Sequence, residues 1–141
     1  MSYDQNNIFA RILRHELPCI NVYEDADTLA FMDIMPQAEG HALVITKEPA
    51  ATLMEITPKG AAAVIRSTQI VARAVQTALG SQGIMIFQLN GSAAGQTVPH
   101  LHFHIIPRSG GDMLLKHAAE KADEKQLEAL AIRIRNALAD G

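Results

Sequence analysis

The sharpest pattern in the chain is the alternation of imidazole and apolar side chains through His100-Leu101-His102-Phe103-His104-Ile105, followed by Ile106-Pro107. Successive side chains of a strand point to opposite faces. The run is therefore expected as a strand with His100, His102 and His104 on one face and Leu101, Phe103 and Ile105 buried on the other. On a helix the same spacing would scatter the rings around the axis. Upstream, Asn7 can cap a short helix over 8–14, with Ile8, Phe9 and Ile12 as its apolar side and Pro18 beyond its end. The β-prone runs 20–24 and 28–32, separated by Asp25-Ala26-Asp27, predict a hairpin, and 41–46 predicts a third strand of the same meander. Thr57-Pro58 reads as a cap followed by proline at the first helical position. The Ala-rich helix it opens should run to Leu79 and close at Gly80, burying Val64, Ile65, Thr68, Val71, Ala72, Val75 and Leu79. Residues 84–90 predict a fourth strand, and the histidine run is the fifth. A last helix should start near Asp123, whose spacing to Gln126 suggests a capping box, with Leu127, Leu130, Ala131, Ile134 and Leu138 facing inward.

Composition narrows the classes. The 141 residues are 48% hydrophobic and 19% charged, as in an ordinary single folded domain, with no repeat and no linker-like boundary. A net charge of −3 argues against a sequence-independent grip on DNA or RNA polymers, which needs a basic patch, but leaves a single nucleotide open. One cysteine, Cys19, cannot form an internal disulfide, and the start Met1-Ser2-Tyr3-Asp4-Gln5 lacks the basic-then-apolar layout of a signal peptide. No apolar run approaches the ~18 residues that span a bilayer, so the expected compartment is the cytoplasm.

Three histidines on one strand face demand a chemical reading. Imidazole serves as nucleophile, base or acid near neutral pH, and in its neutral form as a metal ligand. Zinc would call for a carboxylate or thiolate nearby, yet no acidic residue lies between Leu89 and Arg108 and Cys19 is distant in sequence. The preceding loop, Gly95-Gln96-Thr97-Val98-Pro99, combines neutral donors with a glycine that lets backbone approach closely. Such a loop suits a phosphate, and a histidine attacking phosphorus needs donors aimed at its oxygens.

With that lead-in, His100-Leu101-His102-Phe103-His104-Ile105-Ile106 resembles the signature of the histidine triad (HIT) family of nucleotide hydrolases and transferases. Further stretches resemble the family's N-terminal half in order: Ile8-Phe9-Ala10-Arg11-Ile12, Val22-Tyr23-Glu24-Asp25, Leu29-Ala30-Phe31-Met32-Asp33-Ile34 and Gly40-His41-Ala42-Leu43-Val44-Ile45. The resemblance implies an α+β fold: a five-stranded antiparallel sheet, one long central helix, a short N-terminal helix and a C-terminal helix. A single domain over 1–141 is expected, with a core from about 7 to 112 and a helical extension from about 113 to 141. A two-fold homodimer in which two sheets join is implied as well. By the same resemblance His102 would be the nucleophile that carries a transient nucleotidyl group, with His100 and His104 flanking it and His41 closing the far side. Gln96 and Thr97 would hydrogen-bond phosphate or leaving-group oxygens, and Asn90 and Gly95 would shape that pocket. Asp33 would meet the ribose hydroxyls, and Ile8, Phe9, Ile12, Phe31 and Ile34 would form the slot for the base. No cofactor is implied, and the expected partners are a purine nucleotide and a second copy of the chain, not a nucleic-acid polymer or a membrane.

Many bacterial members of that family carry a Cys-x-x-Cys pair and a further histidine that make a structural zinc site. Here Asn7 and Ala10 stand at the cysteine positions and Lys47-Glu48-Pro49 lacks the histidine, so no zinc is expected. The N-terminal stretches and Asp33 resemble the purine nucleoside phosphoramidase branch, which cleaves P–N bonds in AMP–amine conjugates. Pro107-Arg108-Ser109-Gly110-Gly111-Asp112 instead resembles the dinucleoside polyphosphate hydrolases. The C-terminal helix is expected to pack on a dimer partner or to cover a flank of the site, and Lys116 and His117 read as solvated surface residues. Release of AMP from AMP–X conjugates is the leading expectation. A dinucleoside polyphosphate hydrolase, a nucleotide-binding regulatory protein with little catalysis and a metal-dependent hydrolase are the alternatives.

Overall fold

The computed structural model describes residues 3–110 and 121–140; Gly111, Asp112, Lys116 and His117 lie outside them. The first helix, α1 (Ile8–Leu13), is capped by Asn7, whose Oδ1 accepts from the Ala10 N–H at 2.9 Å. β1 (Asn21–Glu24) and β2 (Thr28–Met32) form the expected antiparallel hairpin. Asp25 closes its turn by accepting from the N–H groups of Asp27 and Thr28, the Tyr23 hydroxyl and Ser67. Burial works against that carboxylate's charge, but the donors outweigh it and hold the pKa down at about 2. β3 (Ala42–Thr46) continues the meander. Thr57 caps and Pro58 opens α2 (Pro58–Leu79), which Gly80 ends at φ 60°, a left-handed conformation that glycine enters without penalty. β4 (Gly83–Phe87), a 3-10 turn at Ser92–Ala94, β5 (His102–Arg108) and α3 (Glu124–Asp140) follow among the described residues.

All five strands join one antiparallel sheet in the order β1-β2-β3-β5-β4, the α+β architecture expected. Strand register assigns the two faces. Ala42 pairs with Ile105 and Val44 with Phe103; with Ala30, Met32 and Leu101 they meet Val64, Val71 and Val75 of α2 and Leu127, Leu130, Ala131 and Ile134 of α3. Leu43 pairs with His104 and Ile45 with His102 on the opposite face, where Leu29 and Phe31 join them and Phe9 of α1 covers the cluster. Both faces of β5 are therefore buried, with the histidines on the thinner side.

Four expectations need correction. Ile65 is 53% exposed, because the buried stripe of α2 runs through Val64, Thr68, Val71 and Val75 and a position about 100° round the helix faces water. The fourth strand stops at Phe87, opposite His104, and does not continue to Asn90. His100 precedes β5: its N–H donates to the Val98 carbonyl at 2.8 Å and the Leu101 N–H to the Ala50 carbonyl at 2.9 Å, so the chain bends before pairing begins. Finally, α3 packs on α2 and β1, on the sheet face away from the histidines, and does not cover their flank. Among the described residues no helix is long and apolar enough to cross a membrane.

Candidate active site

Strand β5 sets His102 and His104 side by side with ring centroids 4.9 Å apart. The Nδ1 of His102 lies 2.6 Å from the carbonyl of His100. A carbonyl only accepts, so Nδ1 carries the proton, and in the neutral ring Nε2 keeps its lone pair. The edge of Phe9 sits against the same ring, centroids 4.9 Å apart. His102 is thus held in the tautomer a nucleophile at Nε2 requires.

A second chain of bonds orients His104. The Gln37 N–H donates to Nδ1 of His41 at 3.0 Å, which leaves the proton of neutral His41 on Nε2. That Nε2 stands 3.0 Å from His104 Nδ1 and 3.4 Å from Asp33 Oδ2. His104 accepts there and therefore bears its own proton on Nε2. Its ring also stacks on Phe87, centroids 4.3 Å apart and planes 13° from parallel. Asp33, 5% exposed, uses its other oxygen to accept from the Met35 N–H at 2.8 Å.

Two cavities meet at these rings. An apolar slot of about 250 Å³ is lined by Ile8, Phe9, Ile12, Phe31, Asp33 and Ile34 and reaches Thr97, His102 and His104. A smaller cavity of about 160 Å³, lined by Gln37, Phe87, Gly95, Gln96 and Thr97, opens on the same two histidines. Phe9 and Phe31 form the buried floor of the slot, edge to face with centroids 5.5 Å apart, and half-exposed Ile8 and Ile34 form its rim. Gly95 takes φ 101°, and a Cβ there would stand 3.3 Å from Leu89 Cδ1, so the loop needs glycine at that point. A larger concavity, about 900 Å³, is an open groove beside α1 running from Ile12 and His15 to Lys47, and no triad histidine lines it.

The geometry departs from the sequence reading at three residues. His100 lines neither cavity: it is fully buried, its Nε2–H donates to the Thr46 carbonyl at 2.6 Å, and Tyr3 meets its Nδ1 at 2.5 Å. Burial, aided by the nearby His102, pushes its pKa down against the opposing bond to Thr46, so His100 is a neutral brace. Gln96 does face the smaller cavity, but its Nε2 donates to Ala51 and Val98 carbonyls at 2.7 and 2.9 Å and its Oε1 accepts from Gly91 N–H. Those donors tie the loop together and do not point at a phosphate. Asn90 lines neither cavity; it exchanges amide bonds with Gln88 and accepts from the Leu53 N–H at 2.8 Å. Tyr3, Gln37 and Phe87 were missed. Phe87 could have been found by pairing the last two strands in register, whereas the other two have no local signature.

Asp33, His41 and His104 each offer one ligand atom within 4.8 Å of the others, a carboxylate contact that sequence distance had hidden. Their bonding argues against a metal there. The Gln37 N–H on His41 Nδ1 keeps the proton on Nε2, the atom a metal would need. At Asn7 and Ala10 the side chains are a helix cap and a methyl group: Asn7 Oδ1 accepts from the Ala10 N–H.

The HIT domain profile matches residues 14–111. An adenosine 5′-monophosphoramidase of Schizosaccharomyces pombe is 41% identical over 101 residues, 72% of this chain and 73% of that protein. An adenylylsulfatase of Arabidopsis thaliana is 39% identical over 107 residues; the match takes in 76% of this chain and 54% of that longer protein, so the chain spans about half its length. Among solved structures, a HIT-like protein involved in cell-cycle regulation from Bartonella henselae superposes with a TM-score of 0.90 at 46% identity, covering 96% of this chain and 99% of the other. A zinc-bound histidine triad family protein from Mycobacterium smegmatis superposes with a TM-score of 0.84 at 34% identity, covering 96% and 95%.

Proposed function

The chain belongs to the HIT domain family, and on that premise we propose that it is a nucleotide hydrolase of the phosphoramidase type, releasing AMP or another purine monophosphate from AMP–X conjugates through a nucleotidyl group carried on His102. The observation behind this reading is the Nδ1–H of His102 held on the His100 carbonyl, which leaves Nε2 with a lone pair where the two cavities meet. The base enters the apolar slot between Ile8, Phe9, Ile12, Phe31 and Ile34, and Asp33, which lines the same slot, accepts from the ribose hydroxyls. The α-phosphate then lies beside His102, with Thr97 at the rim of both cavities.

In the first step the Nε2 lone pair forms a bond to phosphorus while the P–X bond breaks and its electrons leave with X. X takes up a proton from solvent as it leaves, and the Nε2–H of neutral His104 hydrogen-bonds to it. The His102 ring becomes a phosphorylated imidazolium, and the His100 carbonyl stabilises that charge through Nδ1–H. Water then attacks phosphorus and gives a proton back to solvent, while the N–P bond returns its electrons to His102, releasing AMP. The smaller cavity, about 160 Å³, suits a compact leaving group such as an amine; a second nucleoside would extend beyond it. The same reading includes a cytoplasmic homodimer: β4 is an edge strand with Ile86 44% exposed, the edge at which a second sheet would join.

Turnover of adenosine 5′-phosphoramidate and of diadenosine polyphosphates, measured side by side for wild type and His102→Asn, tests the proposal. Faster release of AMP from the phosphoramidate, lost at least ~10³-fold in His102→Asn while AMP still binds, is the expected result. Preference for the dinucleotides would move the chain to the other branch, and normal turnover by the variant would remove His102 from its role.

A further inference from the structure

The N-terminal segment reaches the back of the triad through one side chain. Tyr3 lies 97 residues from His100 in sequence, yet its hydroxyl is 2.5 Å from His100 Nδ1 and its ring meets the imidazole edge-on with centroids 5.6 Å apart. Because His100 Nε2–H donates to the Thr46 carbonyl, Nδ1 of the neutral ring holds the lone pair and the phenol is the donor. Asn7 orients that phenol. Its Oδ1 caps α1 at Ala10, while Nδ2 donates to the Tyr3 oxygen at 2.9 Å and to the Asp4 carbonyl at 2.8 Å. The same carboxamide therefore starts the helix that carries Ile8 and Phe9 and holds the hydroxyl that braces the triad.

His100 is consequently fixed at both ring nitrogens and at its own N–H, which donates to the Val98 carbonyl. With three anchors on one residue, its carbonyl has little freedom, and that carbonyl is the acceptor of His102 Nδ1–H. A donor on Nδ1 also blocks protonation of His100, keeping a second cation away from the ring that turns cationic during transfer. We propose that Tyr3 is a positioning residue for the nucleophile, acting through His100 and touching no substrate. The inference rests on His102 being the nucleophile.

The test is Tyr3→Phe in the full chain, which keeps the ring and removes the hydroxyl. Turnover of adenosine 5′-phosphoramidate should fall about 5- to 20-fold in kcat with KM and AMP affinity within about twofold, since neither cavity is touched. Proton-coupled ¹⁵N spectra of the imidazoles should show His100 Nδ1 shifted and the His102 Nδ1–H signal moved or broadened. Asn7→Ser retains a helix cap but loses both Nδ2 donations, and should give a smaller kcat loss of the same kind. A kcat within twofold of wild type in Tyr3→Phe, or unchanged His100 and His102 resonances, would overturn the proposal. His102→Asn run in parallel separates the two ideas: active His102→Asn sinks the nucleophile, whereas inactive His102→Asn with fully active Tyr3→Phe sinks only the brace. The spectra read the brace even in a protein with no turnover.

Discussion

His41 and His104 meet at 3.0 Å across 63 positions of sequence, and the direction of that bond is settled by a backbone N–H at Gln37. The proton of His41 faces His104, so His104 is left to carry its own proton toward the reacting centre. Replacing His41 by Ala should lower kcat about 10- to 100-fold and destabilise the fold by about 2 kcal/mol, because a buried imidazole that accepts from one group and donates to another is lost. Steady-state kinetics and urea unfolding of the same preparation check both figures.

Ile8 and Phe9 separate binding from folding. Ile8 is 48% exposed at the rim of the slot, so Ile8→Ala should raise KM several-fold and change stability by less than about 0.5 kcal/mol. Phe9 is 5% exposed and touches Phe31 and His102, and Phe9→Ala should cost about 3 kcal/mol as well as raising KM. Equal effects of the two substitutions on thermal unfolding would contradict the assignment of rim and floor.

Acid should weaken the fold in two windows. The His100 pKa is lowered in the folded protein, so the unfolded chain binds the extra proton; stability is full above about pH 6.5 and falls as pH drops toward the folded value. The slope for that single group is at most about 1.4 kcal/mol per pH unit, and His100→Gln should remove it. Asp25, held at about 2 against an ordinary 3.8, adds a second loss between those values. Unfolding free energies at pH 7, 6 and 5 for wild type and His100→Gln decide the first window.

Chelation should leave turnover unchanged, since His41 accepts from the Gln37 N–H at Nδ1 and presents a protonated Nε2 to Asp33 and His104. Metal analysis of protein purified without added metal is the direct check. A stoichiometric ion would refute the expectation.

Periodicity and β-propensity carried the reading of the individual strands and helices, because both are local properties that survive any tertiary arrangement, whereas the five-stranded antiparallel sheet was implied by the family resemblance. The caps at Asn7, Thr57 and Gly80 were legible for the same reason: each acts on backbone groups within three or four residues. So was the pairing of His102 with His104 on one face, which follows from their spacing by two within β5.

What lay beyond local spacing was decided by packing. The alternation by itself put His100 on one strand face with His102 and His104, and the family resemblance made it a flank of the nucleophile. Only the bend before β5 turned it away from the cavities and made it a brace between Tyr3 and Thr46. Gln96 looked like a phosphate donor until the loop's own carbonyls claimed its N–H groups. Asp33 entered the histidine cluster because β2 and β3 pair in a register that brings the residue after Met32 beside His41, which precedes Ala42. Hydrogen bonds between residues far apart in the chain depend on strand register and chain direction, and neither is written in the local pattern that makes each element.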